Sequence, residues 1–234
     1  MVGRALHMEA PSSIEDNLTV EEDVLQTIEG ILNQMTPENY DSLKGDLIYY
    51  HTSSITKTPD ILKMMLGVTA LILEKAITEP TLWPMYALLC SDLNQQLWST
   101  NLSEPSEREK ITFRRILLTY CQESFESTIN LQENISQMDS LDQRPKQMQR
   151  MAKLRPLKNY CLFMGELYKV KLLTLRIVFS VIKVLLEQDG KTCFLKENVE
   201  AVCQLFNSID ERIYDSPLVR KHMDPHINHL TVWL

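Results

Sequence analysis

Four side chains that could hold a metal ion lie close together near the end of the sequence: His222, Asp224, His226 and His229. Histidines three or four residues apart share one face of a helix, a spacing that suits zinc. Pro225 is expected to begin a helix after His222, which breaks the shared face, and no cysteine lies near enough in sequence to complete a ligand set. We therefore interpret these residues as part of a surface helix and expect neither a metal nor another cofactor.

The sequence lacks the usual signals of catalysis. Its glycines are isolated rather than grouped into a phosphate-binding loop, and neither a G-x-S-x-G nor an H-E-x-x-H string occurs. Carboxylates are plentiful, but acid and base catalysis needs a cleft and a perturbed pKa, which a sequence does not reveal. We expect a binding protein rather than an enzyme.

The cysteines and the apolar stretches indicate a soluble protein inside the cell, in the cytoplasm or the nucleus. The chain has five cysteines, an odd number without a C-x-x-C pair, which favours reduced thiols over a disulfide framework. Cys90, Cys121, Cys161 and Cys203 fall in apolar helical stretches and are expected to pack as small hydrophobic residues. No apolar run is long enough and free enough of charge to span a membrane.

Charge is distributed unevenly along the chain. The net charge of the whole sequence is −7, whereas the segment 144–171 carries +7 and the remainder −14. Such a segment could attract RNA phosphates weakly and without sequence preference, or it could be an ordinary solvated helix face. The candidate RNA-binding residues are Arg150, Lys153, Arg155, Lys158, Lys169 and Lys171.

Apolar periodicity and helix start signals predict an all-α protein built from antiparallel helix pairs. Thr19 with Glu22 forms a capping box before a helical stripe, and Thr36-Pro37 and Thr58-Pro59 have the pattern of a cap followed by proline. Hairpin openings near 20, 59 and 107 recur at a period typical of HEAT repeats. We expect an α-solenoid of about four to four and a half repeats.

The predicted domain covers 19–234 and follows a flexible lead over 1–18. Within it, a helix is expected over about 107–129, and the polar stretch near 130–145 is expected to be a mobile loop.

Five strings stand in order along the chain: Ile31 to Tyr40, Leu73 to Pro80, Met85 to Leu93, Phe113 to Leu118, and Gly165 to Lys169. Together they resemble the middle domain of eukaryotic translation initiation factor 4 gamma, especially its plant forms. The resemblance implies a HEAT-type scaffold that binds the DEAD-box RNA helicase of translation initiation and, less specifically, mRNA. It also implies that the turn after Glu74 contacts the helicase, through Lys75, Glu79, Leu82, Trp83 and Tyr86.

A tryptophan on a turn is a plausible interface anchor in general, and equally a staple that packs its own hairpin. Both interpretations of Trp83 stay open at this point.

Three departures from the family pattern limit what the resemblance implies. The run from Leu157 to Gly165 has one extra residue and follows Pro156, so the family's basic residue there is lost. The pattern of a fifth hairpin stops at Leu234, which predicts contact with one helicase lobe rather than two. No Tyr-x4-Leu-apolar string for a cap-binding protein occurs. An RNA-associated adaptor using the basic segment, and a degenerate paralogue with a regulatory role, are the alternatives.

Overall fold

The computed structural model describes residues 13–55, 61–99, 112–137, 158–186 and 196–209, together with the single positions Arg220 and Asp224. All regular structure in these ranges is helical. The helices are α1 (Ser13–Gln34), α2 (Tyr40–Ile55), α3 (Ile61–Thr78), α4 (Trp83–Ser99), α5 (Phe113–Gln137), α6 (158–169), α7 (Leu175–Leu186) and α8 (Lys196–Ser208), with a short 3-10 turn at Pro80–Leu82.

Asn39 organises the turn that joins α1 to α2. Its side-chain oxygen accepts a hydrogen bond of 2.7 Å from the backbone N–H of Thr36, and its amide nitrogen donates to the carbonyl of Gln34. Its own carbonyl accepts from the N–H of Leu43. The expected helix start at Thr36-Pro37 is therefore wrong by a few residues, because residues 37–39 form the turn and α2 begins at Tyr40.

Two helix boundaries differ from the sequence prediction. The first helix begins at Ser13, so Thr19 lies inside it rather than at its cap. The fifth begins at Phe113 and continues to Gln137, past the expected loop start. Polar residues lower the mean hydropathy of such a segment, but Gln and Glu are good helix formers. The lead and the loop stay predictions for 1–12 and 138–145, which lie outside the described residues.

The chain divides into two compact units, residues 1–71 and 72–234, and the boundary falls within α3. In the first unit, Ile28, Leu32, Leu47 and Met64 are almost fully buried. There the Lys63 ammonium also lies 2.5 Å from the buried Glu21 carboxylate.

The second unit has its own core, in which the largest fully buried side chains of the described residues are Tyr86, Phe163, Ile72, Leu73, Leu89, Leu93 and Leu117. Each unit thus buries an apolar core of its own.

Three of the four cysteines expected in the core are there. Cys90, Cys121 and Cys161 are buried, and burial raises the pKa of the Cys121 and Cys161 thiols to about 12. Cys203 is exposed, so its expected burial is wrong. Ala201, Val202 and Leu205 are the residues of α8 that face the core, and Cys203 falls on the opposite side of that helix.

None of the helices in the described ranges is long and apolar enough to cross a membrane. The described residues also contain no group of three or more histidine, cysteine or acidic side chains arranged to hold a metal ion. His222, His226 and His229 lie outside those residues.

Candidate functional site

The turn between α3 and α4 is closed by backbone hydrogen bonds around Glu79. The N–H of Glu79 donates to the carbonyl of Lys75 at 2.8 Å, and the N–H of Leu82 donates to the carbonyl of Glu79 at 3.0 Å. Pro80 begins the 3-10 turn, where its fixed φ suits the geometry and its missing N–H leaves no donor unsatisfied. The sequence thus specifies a tight turn with little backbone freedom.

The Glu79 carboxylate joins the two helices on either side of this turn. One oxygen lies 3.3 Å from the Lys75 ammonium, and the other accepts a hydrogen bond of 2.9 Å from the Tyr86 hydroxyl. The pKa of Tyr86 is raised above its usual value, first by burial and then by the neighbouring carboxylate. Three of the five residues predicted to bind the helicase therefore form one hydrogen-bonded group.

Trp83 fastens the end of α3. Its indole N–H donates a hydrogen bond of 2.6 Å to the carbonyl of Ala76, one of the last carbonyls of that helix, which have no partner within the helix itself. The residue as a whole is half-buried. Trp83 is thus a staple of its own hairpin, and it is not fully enclosed by the domain.

Asn159, on α6, belongs to the same arrangement and was missed by the sequence analysis. Its side-chain amide donates a hydrogen bond of 2.8 Å to the carbonyl of Ile77. The two residues lie 82 positions apart in the chain, and nothing in the pattern around Asn159 signals that distant partner. Together, Trp83 and Asn159 satisfy two carbonyls at the end of α3.

The exposed part of the turn is small and mixed in character. Pro80 and Thr81 are exposed, and Leu82 is half-buried like Trp83. Tyr86, by contrast, is completely buried. It cannot touch a partner in this conformation, so its part in the site is to hold Glu79 from behind.

Only some of the candidate RNA-binding residues of the basic segment 144–171 lie among the described residues, and two of those form ion pairs. Lys158 pairs with Glu200 at 2.9 Å, and Lys169 pairs with Glu166 at 2.7 Å. Arg150, Lys153 and Arg155 lie outside the described residues. Exposed ion pairs are weak and exchange readily with solvent, so these two lysines carry a reduced rather than an abolished attraction for phosphate.

Lys171 follows the end of α6 and has an unusual backbone conformation. Its φ is 62°, in the left-handed region, and it is exposed. The N–H of Leu172 donates to the carbonyl of Leu167, and that of Lys171 to the carbonyl of Tyr168. This is a Schellman motif, with lysine where glycine is usual.

Similarity to known proteins identifies the architecture. A family model described as the MIF4G domain matches residues 25–232. The chain belongs to the MIF4G domain family. The resemblance noted from the five strings is thereby confirmed.

Relatives of this MIF4G domain include translation initiation factors of plants and mammals. It is 33% identical to eukaryotic translation initiation factor 4G of Cucumis melo, over 91% of this chain and 11% of that protein. It is 29% identical to human eukaryotic translation initiation factor 4 gamma 2, over 87% of this chain and 22% of that protein. The chain therefore spans a minor part of the length of the relatives it matches.

A solved structure shares the fold. The crystal structure of the MIF4G domain of Trypanosoma cruzi translation initiation factor EIF4G5 has a TM-score of 0.53 to this domain, at 21% identity, over 92% of this chain and 97% of that one. This likeness concerns the fold alone. It confirms the expected all-helical class of HEAT-type helix pairs.

Proposed function

We propose that this MIF4G domain is a scaffold of translation initiation, acting in the cytoplasm, that binds the DEAD-box RNA helicase of initiation through the turn between α3 and α4. The family assignment and the initiation factors among its relatives support the general role. The observation that supports this surface is that Trp83 is only half-buried while its N–H is fixed to Ala76.

A turn of this kind suits protein recognition for a physical reason. Binding costs free energy when mobile side chains and loops become ordered, so a surface that is already fixed binds with a smaller loss. Here the Glu79 carboxylate, the Trp83 indole and the backbone of the turn are each held by hydrogen bonds within the domain. The apolar surfaces of Leu82 and Trp83 are therefore presented in one arrangement, beside the partly exposed carboxylate of Glu79.

This proposal is tested by titrating the purified helicase into the full chain and measuring the heat of binding by isothermal titration calorimetry. We expect micromolar or tighter binding by the wild type. Leu82→Ala should weaken it about tenfold, the loss that truncating a central apolar contact often produces. Leu88→Ala is the matched control, because Leu88 is an exposed leucine of α4 that lies beyond the turn. No binding by the wild type, or equal losses in both variants, would contradict the proposal.

Trp83→Phe separates the two roles of the indole. It keeps most of the ring surface but removes the donor to Ala76, so it should lower the free energy of unfolding by about 1 kcal/mol while largely retaining helicase affinity. Trp83→Ala should lower both. If Trp83→Phe binds as poorly as Trp83→Ala, helicase binding requires the ring to be fixed by its hydrogen bond to Ala76, and the ring surface alone is not enough.

Weak, non-specific RNA binding is a second proposal, supported by the exposure of Lys171 next to the lysines of α6. Its affinity should fall by roughly 0.7 logarithmic units per logarithm of salt for each phosphate neutralised on a single strand. Fluorescence polarisation with a single-stranded RNA across a salt series measures that slope. If binding is undetectable, or does not depend on salt, the proposal of weak electrostatic RNA binding is wrong.

A further inference from the structure

An open apolar groove lies between α5 and α7, with α6 as its floor. Its volume is about 800 Å³. Leu118 and Phe125 of α5, Ile177 and Val184 of α7, and Met164 of α6 are among the residues that line it. All three helices belong to the second unit, and the groove shares no residue with the turn at Glu79.

The groove has exposed apolar surface on its α7 side. Val184 is 44% exposed, and Ile177 is only half-buried. The stretch of α5 that lines it, from Arg114 to Ile129, is about 23 Å long at the rise of a helix. A helical peptide of roughly 15 residues, laid along such a groove, has about that length and would cover the exposed side chains.

Two basic side chains and one acidic side chain are among the residues that line the groove. Arg114 and Arg115 line it in the first turn of α5, and the Arg114 Nε donates a hydrogen bond of 2.8 Å to the carbonyl of Leu172, just before α7 begins. The Arg114 side chain thus lies close to the beginnings of both α5 and α7, where the partial positive charge of each helix end adds to its own charge. The whole of α7 carries no acidic residue, and Glu126 lines the groove farther along α5.

We propose that this groove is a second binding surface, which holds an amphipathic helix of a partner protein whose acidic residues lie at the Arg114 and Arg115 end. The apolar walls bind the apolar stripe of that helix, and the arginines select its polarity and orientation. The proposal stands independently of helicase binding, because its residues lie on other helices.

Two pairs of variants isolate the groove. Thr119 and Ser127 are both exposed residues of α5, but only Thr119 lines the groove. Thr119→Trp should therefore fill it, and Ser127→Trp should leave it open. Likewise Arg115→Glu reverses a charge in the groove, whereas Arg176→Glu reverses an exposed charge of α7 outside it.

In the experiment, the full wild-type chain is immobilised and used to select binders from a display library of random peptides about 15 residues long. Enriched sequences are then synthesised, and their affinities for the wild type and the four variants are measured by fluorescence polarisation. We expect apolar residues at spacings of three and four, with acidic residues near one end. Their affinity should fall at least tenfold in Thr119→Trp and in Arg115→Glu, and stay within twofold in the two controls.

Several results would overturn the proposal. Failure to enrich peptides beyond a parallel selection on Thr119→Trp would do so, as would enriched peptides that bind all variants equally or that are basic. Sedimentation that shows a dimer abolished by Thr119→Trp would assign the groove to a second copy of the chain. A large loss of thermal stability in Thr119→Trp, without peptide enrichment, would assign it to another part of the same chain.

Discussion

The Tyr86 hydroxyl donates a hydrogen bond of 2.9 Å to Oε2 of Glu79 across the turn between α3 and α4. The tyrosine is completely buried, while the glutamate side chain is 37% exposed. A core residue thereby fixes the position of a surface carboxylate, whose other oxygen faces Lys75. The shape of the proposed helicase-binding turn depends on this contact from inside the domain.

Tyr86→Phe should lower the free energy of unfolding by about 1 kcal/mol, the net worth of a typical hydrogen bond, because Glu79 can still be solvated from outside. It should also weaken helicase binding, since the turn loses the contact that holds Glu79. Urea unfolding followed by circular dichroism measures the first effect. Tyr49→Phe is the control, because Tyr49 is 69% exposed and its loss of a hydroxyl should leave the midpoint unchanged. Equal midpoints for wild type and Tyr86→Phe would refute the role given to this bond.

Glu79→Gln tests the charge at the same position. The amide oxygen can still accept from Tyr86, but the ion pair with Lys75 is lost, and a partly exposed pair of this kind contributes little to stability. We therefore expect an unchanged unfolding midpoint and reduced affinity for the helicase. A variant that binds the helicase as the wild type does would show that the carboxylate charge takes no part in recognition.

Gly165 allows α6 and α8 to approach closely. A Cβ placed there would lie 1.8 Å from the Ser208 hydroxyl oxygen and 2.8 Å from its Cβ, so one of the helices would have to move. Gly165→Ala should destabilise the domain by about 1 to 3 kcal/mol, as overpacking usually does. Combining it with Ser208→Gly should restore much of that loss.

Gly45→Ala supplies the control for this prediction. An added Cβ at Gly45 meets nothing within 4 Å, and the residue lies inside α2. Alanine there should stabilise by roughly 0.5 to 1 kcal/mol, because glycine loses more conformational freedom in a helix. A destabilised Gly45→Ala, or a Gly165→Ala as stable as the wild type, would contradict the packing described here.

The sequence could predict the helices and the turn because both depend on local patterns. Apolar stripes place the cores of α1 and α3, and Thr78, Glu79 and Pro80 specify a helix end followed by a tight turn. The exact helix limits were harder to predict, as at Ser13 and Gln137, where polar but helix-forming residues extend the helices beyond the apolar stripe.

The contacts between distant segments could not be predicted. Asn159 reaches Ile77, and Lys158 reaches Glu200 across 42 positions, and both depend on how whole helices pack. For the same reason, the resemblance implied that Tyr86 contacts the helicase but could not show that this side chain is completely buried. Ion pairs likewise reduce the free charge of the basic segment, which a count of lysines overstates.

Lys171 provides a test of backbone strain. The left-handed conformation costs a residue with a Cβ about 1 to 2 kcal/mol relative to glycine, so Lys171→Gly should stabilise the domain by about 1 kcal/mol. Lys171→Val should destabilise it, since a β-branched residue tolerates a positive φ poorly. Thermal unfolding of the wild type, Lys171→Gly and Lys171→Val measures their order of stability. A domain in which glycine is no better than valine would contradict the φ of 62° at this position.

His51, on α2, makes the stability of the first unit depend on pH. The side chain is 1% exposed, and burial lowers its pKa from 6.5 to about 4. The imidazole of the unfolded chain takes up a proton at a higher pH than the buried imidazole of the folded domain does. The stability that the neutral, buried His51 contributes is therefore complete above pH 6.5 and is lost as the pH falls from there towards about 4. Between about pH 7.5 and about pH 5, the loss in the free energy of unfolding should be about 2 kcal/mol.

The measurement is urea unfolding across that range for the wild type and for His51→Gln, which cannot titrate. Carboxylates contribute to the slope in both proteins, so the difference between the two curves isolates His51. The wild type should lose stability faster than His51→Gln as the pH falls. The variant should be less stable than the wild type at neutral pH, but the difference between the two proteins should shrink towards pH 5. Parallel curves would mean that His51 is already as easily protonated in the folded domain as in the unfolded chain, against the burial observed on α2.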